Sequence, residues 1–152
     1  MATSYTTLLG YALPTTGELE GLWGDEVNDS ITQLVEDSVA GYATADVTSA
    51  DWTLSTTGSG LSNEARMMVL IPTGTPGVSR NIIAPAHSKT YVVSNQSNST
   101  VTVKGASTTG VTIQPNATVM VTWTGSDFTQ TPSRSAAIPP GQAIAFDLIF
   151  GI

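Results

Sequence analysis

The sequence predicts a mainly β protein: an antiparallel β-sandwich or jelly-roll-like domain, preceded by an extended arm and one amphipathic α-helix. Three observations predict it. Ser and Thr make up about a quarter of the chain while charged residues are only 11%, and threonine suits a pleated, half-buried surface but disfavours helix interiors. Fourteen Gly and eight Pro supply turns. From Glu64 onward, short apolar or alternating runs are separated by turn signals with no helical period between them, the pattern of a two-sheet β fold.

The elements follow in order. Residues 1–17 form the expected arm: Tyr5, Leu8, Leu9, Tyr11 and Leu13 alternate loosely with Thr and Ser before a turn at residues 14–17. Apolar side chains on such an arm need a surface to cover, on this domain or on a partner. A helix is predicted over residues 23–40, where Val27, Ile31, Leu34, Val35 and Val39 fall on a 3.6-residue period. Asp25, Glu26 and Asp29 suit the positive end of its dipole, and Gly41 reads as its C-terminal stop. Residues 42–65 read as a connection with one short strand over residues 51–55, anchored by Trp52 and Leu54. Strands are then predicted at 66–71, 80–84, 89–94, 100–104, 111–113 and 117–123, with a short return from Phe128 and a last strand at 143–149. The sequence NQSNS at residues 95–99 reads as a hairpin loop. The arm and helix (1–41) thus form one unit for docking and oligomerisation, and residues 42–152 a β-rich domain.

Charge is divided unequally. Residues 1–65 carry ten acids and no Lys or Arg, whereas Arg66, Arg80, Lys89, Lys104 and Arg134 face only Asp127 and Asp147 in the remainder. Five scattered cations make no basic patch, which argues against nucleic-acid binding. No stretch approaches the roughly 20 apolar residues of a membrane span. The N-terminus has neither the basic nor the apolar region of a secretory signal. Cysteine is absent, so disulfides and thiolate chemistry are excluded.

No catalytic, cofactor or metal site is expected. The single histidine, His87, has Ser88 beside it but no acid within twenty residues, and it reads as a surface turn residue rather than a triad member. Asp25, Glu26 and Asp29 lack EF-hand spacing. Glu36 and Asp37 are sequence neighbours at different azimuths, so they make no carboxylate pair. The β half offers only Asp127 and Asp147 to a glycan-cleaving mechanism. Trp52 and Trp123 lie in strands and read as core. Trp23, where arm meets helix, reads as a staple or as a partner-facing anchor. The chain end AIAFDLIFGI alternates Phe146, Leu148 and Phe150 with other residues, and it is expected to complete the sheet or to pair with a neighbouring subunit.

Residues 13–41, carrying Leu13-Pro14, Gly17, Gly21, Trp23-Gly24 and Asn28, resemble the N-terminal module of tailed-phage fibre proteins, especially those of marine and cyanobacterial phages. A second block extends the resemblance to residue 128: Glu64-Ala65-Arg66, Arg80-Asn81-Ile82, Ala84-Pro85, Ser88-Lys89-Thr90-Tyr91-Val92-Val93, Gly110-Val111-Thr112-Ile113 and Trp123-Thr124-Gly125-Ser126-Asp127-Phe128. The resemblance implies a non-enzymatic virion component, a homotrimer with its N-terminal region nearest the particle. Such fibres commonly continue into a shaft and a receptor-binding tip. A chain ending at Ile152 is therefore expected to be a short fibre or appendage, an adaptor, or a capsid decoration or head fibre. The expected partners are itself and other virion proteins of capsid, neck or tail. The expected interface comprises Tyr5, Leu8, Leu9, Tyr11, Leu13, Trp23, Val27, Ile31, Leu34, Val35, Phe146, Leu148 and Phe150. The alternative is a carbohydrate-binding module contacting host glycans.

Overall fold

A computed structural model describes residues 4–17, 19–56 and 60–131. The expected strand at 143–149, with Phe146, Leu148 and Phe150, lies outside the described residues. The protein is mainly β, with eleven strands and a single helix of 18 residues among the described residues.

The arm is folded back rather than extended. Strand β1 (Ser4–Tyr5) pairs antiparallel with β2 (Ala12–Leu13). The turn between them closes through Thr6 N–H to the Tyr11 carbonyl at 2.8 Å and Gly10 N–H to the Thr6 carbonyl at 3.1 Å. A lone terminus leaves its backbone groups to water; pairing the arm with itself satisfies them locally.

The helix runs as α1 (Trp23–Val27), a wider π-type segment (Asn28–Thr32) and α2 (Gln33–Ala40). The π segment takes an extra residue per turn, so the predicted apolar stripe does not stay on one face. Leu34 is buried at 1% exposure, Val27 and Ile31 are half-buried, and Val35 and Val39 face outward. Gly41 ends the helix with φ −74°, in extended rather than left-handed geometry. Glycine is needed there for close approach: a Cβ would press on the Asp37 carbonyl and sit 2.6 Å from Met67 Sδ.

Two sheets make the sandwich. One has the order β11-β10-β7-β5-β3 and the other β4-β6-β8-β9. Their strands are β3 (Tyr42–Asp46), β4 (Trp52–Thr53), β5 (Val69–Thr73), β6 (Arg80–Ile83), β7 (Thr90–Ser94), β8 (Val101–Lys104), β9 (Val111–Ile113), β10 (Thr118–Trp123) and β11 (Phe128–Gln130). From β3 to β8 every connection crosses from one sheet to the other. Strands β3, β5 and β7 are therefore parallel neighbours, as are β4, β6 and β8. The chain winds as a flattened coil of three turns before β9, β10 and β11 return antiparallel. The sheets are mixed where antiparallel pairing was expected, because period-two alternation sets which face is buried but not which way a neighbour runs.

Two differences follow from this winding. Strand β3 occupies what read as a connection. Residues 95–99 form no hairpin; they carry the chain from β7 in one sheet to β8 in the other. The buried Asn95 builds that corner. Its Nδ2 donates to the Ser99 and Ile113 carbonyls at 2.9 and 3.1 Å, and its Oδ1 accepts from Ser97 N–H and O–H at 3.0 and 2.7 Å. Successive corners stack: Val47 N–H donates to Thr73, Gln96 N–H to Pro72 and Asn98 N–H to Gly74.

The core fills the space between the sheets with side chains in register. Ala43, Leu70, Val93 and Val119 form one row across the first sheet. Trp52, Ile82, Val103 and Val111 form the facing row. All eight belong to the core cluster or pack against it. At the end of the sandwich where the strands return, the Trp123 and Phe128 rings meet edge to face at 5.2 Å, a favourable aromatic geometry.

Candidate functional site

The distinctive chemistry lies where the hairpin, the helix and the loop before β5 converge. A short 3₁₀ turn (Glu64–Arg66) starts with Asn63, whose side chain accepts from Arg66 N–H at 3.0 Å. This turn directs the Arg66 side chain under the hairpin, where the residue is 1% exposed. Its Nε donates to the Leu9 carbonyl at 2.9 Å, Nη2 donates to the same oxygen, and Nη1 donates to the Leu61 carbonyl at 2.5 Å. The guanidinium lies 5.9 Å from the Tyr11 ring centroid, and the Tyr11 hydroxyl is 3.0 Å from Ser38 Oγ on α2. Arg66 therefore joins the arm to the loop, and Tyr11 joins the arm to the helix.

Lys89 enters the same region just before β7. Its ammonium donates to the Arg66 carbonyl at 2.5 Å and stands 5.1 Å from the Tyr91 ring centroid. Burial, reinforced by the Arg66 charge, pushes its pKa down to about 8. Tyr91 donates its hydroxyl to the Ala65 carbonyl at 2.8 Å, and burial raises its pKa. Among the described residues neither Arg66 nor Lys89 has a carboxylate at ion-pair distance; Asp37 acts on Arg66 from further away. A cleft of about 70 Å³ lies beside them, lined in part by Thr6, Thr7, His87 and Lys89. It shares Leu8, Leu9, His87 and Lys89 with an apolar groove of about 390 Å³ that also includes Met68.

The sequence-predicted interface residues divide. Leu8, Leu13, Trp23 and Val35 are exposed; Tyr5, Leu9, Tyr11, Val27 and Ile31 are half-buried. Leu34 is taken up inside the chain and is withdrawn from the interface. The exposed set gains members: Leu22, Val39, Tyr42 and Leu61. Val35 and Val39, four residues apart, share an exposed side of α2, and Tyr42 follows at the start of β3. Tyr42 is 67% exposed and Val39 71%. Among the described residues strand β3 pairs only with β5.

Trp52 and Trp123 are buried in the core, as the sequence indicated, and so present no ring to a sugar. His87 lies in the turn before β7, lining the cleft. Asp127 has a structural setting: its carboxylate accepts from Thr109 N–H at 3.1 Å, Gly110 N–H at 3.0 Å and Phe128 N–H at 2.7 Å, tying the β8–β9 loop to the β10–β11 loop. Sequence reasoning missed Arg66 and Lys89. The available signal was that Arg66, Arg80 and Lys89, the first three cations of the chain, span a stretch without acids. No family model, curated protein or solved structure matches this chain.

Proposed function

We propose that the chain is a non-enzymatic structural component of a tailed-phage virion that assembles as a homotrimer through its hairpin–helix end. The observation that carries this reading is the placement of exposed apolar surface. Of the ten large apolar side chains exposed among the described residues, eight (Leu8, Leu13, Leu22, Trp23, Val35, Val39, Tyr42 and Leu61) come from the N-terminal part of the chain. Isolated exposed apolar residues are ordinary, whereas a contiguous patch marks an interaction surface, and we read this concentration in the N-terminal part as one such surface. The outer edge of β3, unpaired among the described residues, supports the same reading. It bears no Lys or Pro that would discourage added strands.

Burial of this surface drives association at roughly 25 cal/mol per Å², less the entropy of ordering the subunits. The resemblance of residues 13–128 to phage fibre modules supplies the particle context: a short fibre or appendage, an adaptor, or a capsid decoration or head fibre.

Electron microscopy with gold-labelled antibody tests the location. Label on particles of the phage that encodes this chain, at head, neck or tail, is expected. Particles that bind no label, with the protein confined to the unassembled fraction of the lysate, would overturn the proposal.

A further inference from the structure

The outer face of the five-stranded sheet carries an apolar row. Tyr42, Val69, Val92 and Met120 are register partners across β3, β5, β7 and β10. They alternate with the core row of Ala43, Leu70, Val93 and Val119, so their side chains point away from the core. Met120 is 44% exposed, Tyr42 is exposed further, and the two valines are half-buried. Hydroxyl pairs border the row: Thr90 with Thr122 at 2.9 Å, and Ser94 with Thr118 at 3.1 Å. These hydroxyls keep a partner on their own sheet when the face is covered, which lowers the cost of covering it. Among the described residues the only charge on this face is Asp46, at the end of β3, where its carboxylate accepts from Thr48 N–H at 2.8 Å.

The helix differs in charge. Val35 and Val39 are exposed, and the helix also carries Asp25, Glu26, Asp29, Glu36 and Asp37 with no Lys or Arg. Three such helices packed on one another about a threefold axis would gather five acids from each chain with no helix cation to offset them, and like charges set against each other disfavour an interface. The sheet face offers apolar side chains and hydroxyls, and it has no acid near its centre.

We propose that the side of α2 bearing Val35 and Val39 in one chain packs on the row of Val69, Val92 and Met120 in the next. This inference rests on the trimer proposed above and identifies the occupant of the sheet face as a second copy of this chain. Helix on sheet is an ordinary way of burying two apolar surfaces. Tyr42, two residues past the end of α2 and at the edge of the row, makes the two surfaces neighbours on each chain. Each chain gives its helix to one neighbour and its sheet face to the other, the head-to-tail contact that closes a ring.

The chain has no cysteine, so introduced cysteines report contacts between chains. Val39→Cys and Met120→Cys both replace exposed side chains. Treated with a short bismaleimide, the full-length double variant should give a covalent three-chain band on a denaturing gel, and each single variant alone should stay a single-chain band. Met120→Glu, which sets an acid beneath the acidic helix, should raise the concentration at which the trimer dissociates by at least about tenfold, and Met120→Lys should raise it less. Light scattering reads both, and Met120→Glu carries the test if the cysteine variants lower the melting temperature. Three results in a trimeric chain would overturn this proposal while leaving the trimer standing: Val39→Cys linked to itself, no three-chain band from a stably folded double variant, or Met120→Glu dissociating no more readily than wild type. A monomeric wild-type chain would overturn both.

Discussion

Arg66 reaches the backbone carbonyl of Leu9, 57 residues earlier in the chain, with an Nε–O distance of 2.9 Å. This contact holds the N-terminal hairpin against the β-domain, because the hairpin's own pairing involves only two residues on each side and a two-stranded ribbon is marginal alone. Arg66→Ala should therefore lower stability by about 2–4 kcal/mol, through lost charge-assisted bonds and carbonyls left unsatisfied. Arg66→Lys should recover only part of this, since an ammonium lacks the fork that serves Leu9 and Leu61 together. Urea denaturation measures both, and limited proteolysis should show cleavage within residues 6–10 of Arg66→Ala before the β-domain is cut.

Lys89 sets a pH dependence. Its folded pKa is depressed from 10.5 to about 8, so between these values the unfolded chain binds more protons than the folded one. Stability should then rise with pH from about 8 to about 10 and level off below about 8, where both states carry the proton. Above that window Tyr91, whose pKa is raised by burial, acts in the opposite direction, because the unfolded chain loses the phenolic proton first. Denaturation midpoints from pH 7 to 10 should slope upward in wild type and flatten in Lys89→Met.

Asp127 provides a second, acidic dependence. Its pKa is lowered, first by the Thr108 side chain and then by the backbone N–H groups of Gly110, Phe128 and Thr109. A depressed carboxylate stabilises the fold above its unfolded value, and the contribution disappears as pH falls through the folded one. Asp127→Ala should lower the melting temperature at pH 7 and leave it little changed from wild type near pH 2. Unequal melting of the two proteins at pH 2 would place the effect elsewhere.

The coil's register makes its central row sensitive. Ile82 lies between Trp52 and Val103 in that row and is fully buried. Ile82→Ala should cost about 2–5 kcal/mol by cavity formation. Val39→Ala, on the exposed side of the helix, should change monomer stability by less than about 0.5 kcal/mol. Thermal melts of the two variants give the comparison.

The strands after Glu64 were legible because Val, Ile and Thr alternate there with period two, and Trp52 and Trp123 announced themselves as core. Strand β3 was not legible. Its Tyr-Ala-Thr-Ala-Asp sequence is small and polar, and it becomes a strand only because β5 presents Leu70 and Pro72 opposite Ala43 and Ala45. Parallel winding left no local trace either, since Asn95 and Ser97 look the same in a hairpin as in a corner between sheets. The helix boundaries were visible in the apolar period and in Gly41, but the π segment that splits the stripe was not. The cationic cleft was hidden because Leu9, Arg66 and Lys89 are far apart in sequence and are brought together only by the folded hairpin.

Val35, Val39 and Tyr42 bear the central claim that exposed apolar surface at the hairpin–helix end drives self-association. Light scattering coupled to size-exclusion chromatography, at micromolar concentration, tests it most directly. The account predicts a mass three times the 15.7 kDa of one chain, and a single-chain mass for Val35→Asp/Val39→Asp with an unchanged circular dichroism spectrum. A wild-type chain that elutes as a stable monomer would contradict it.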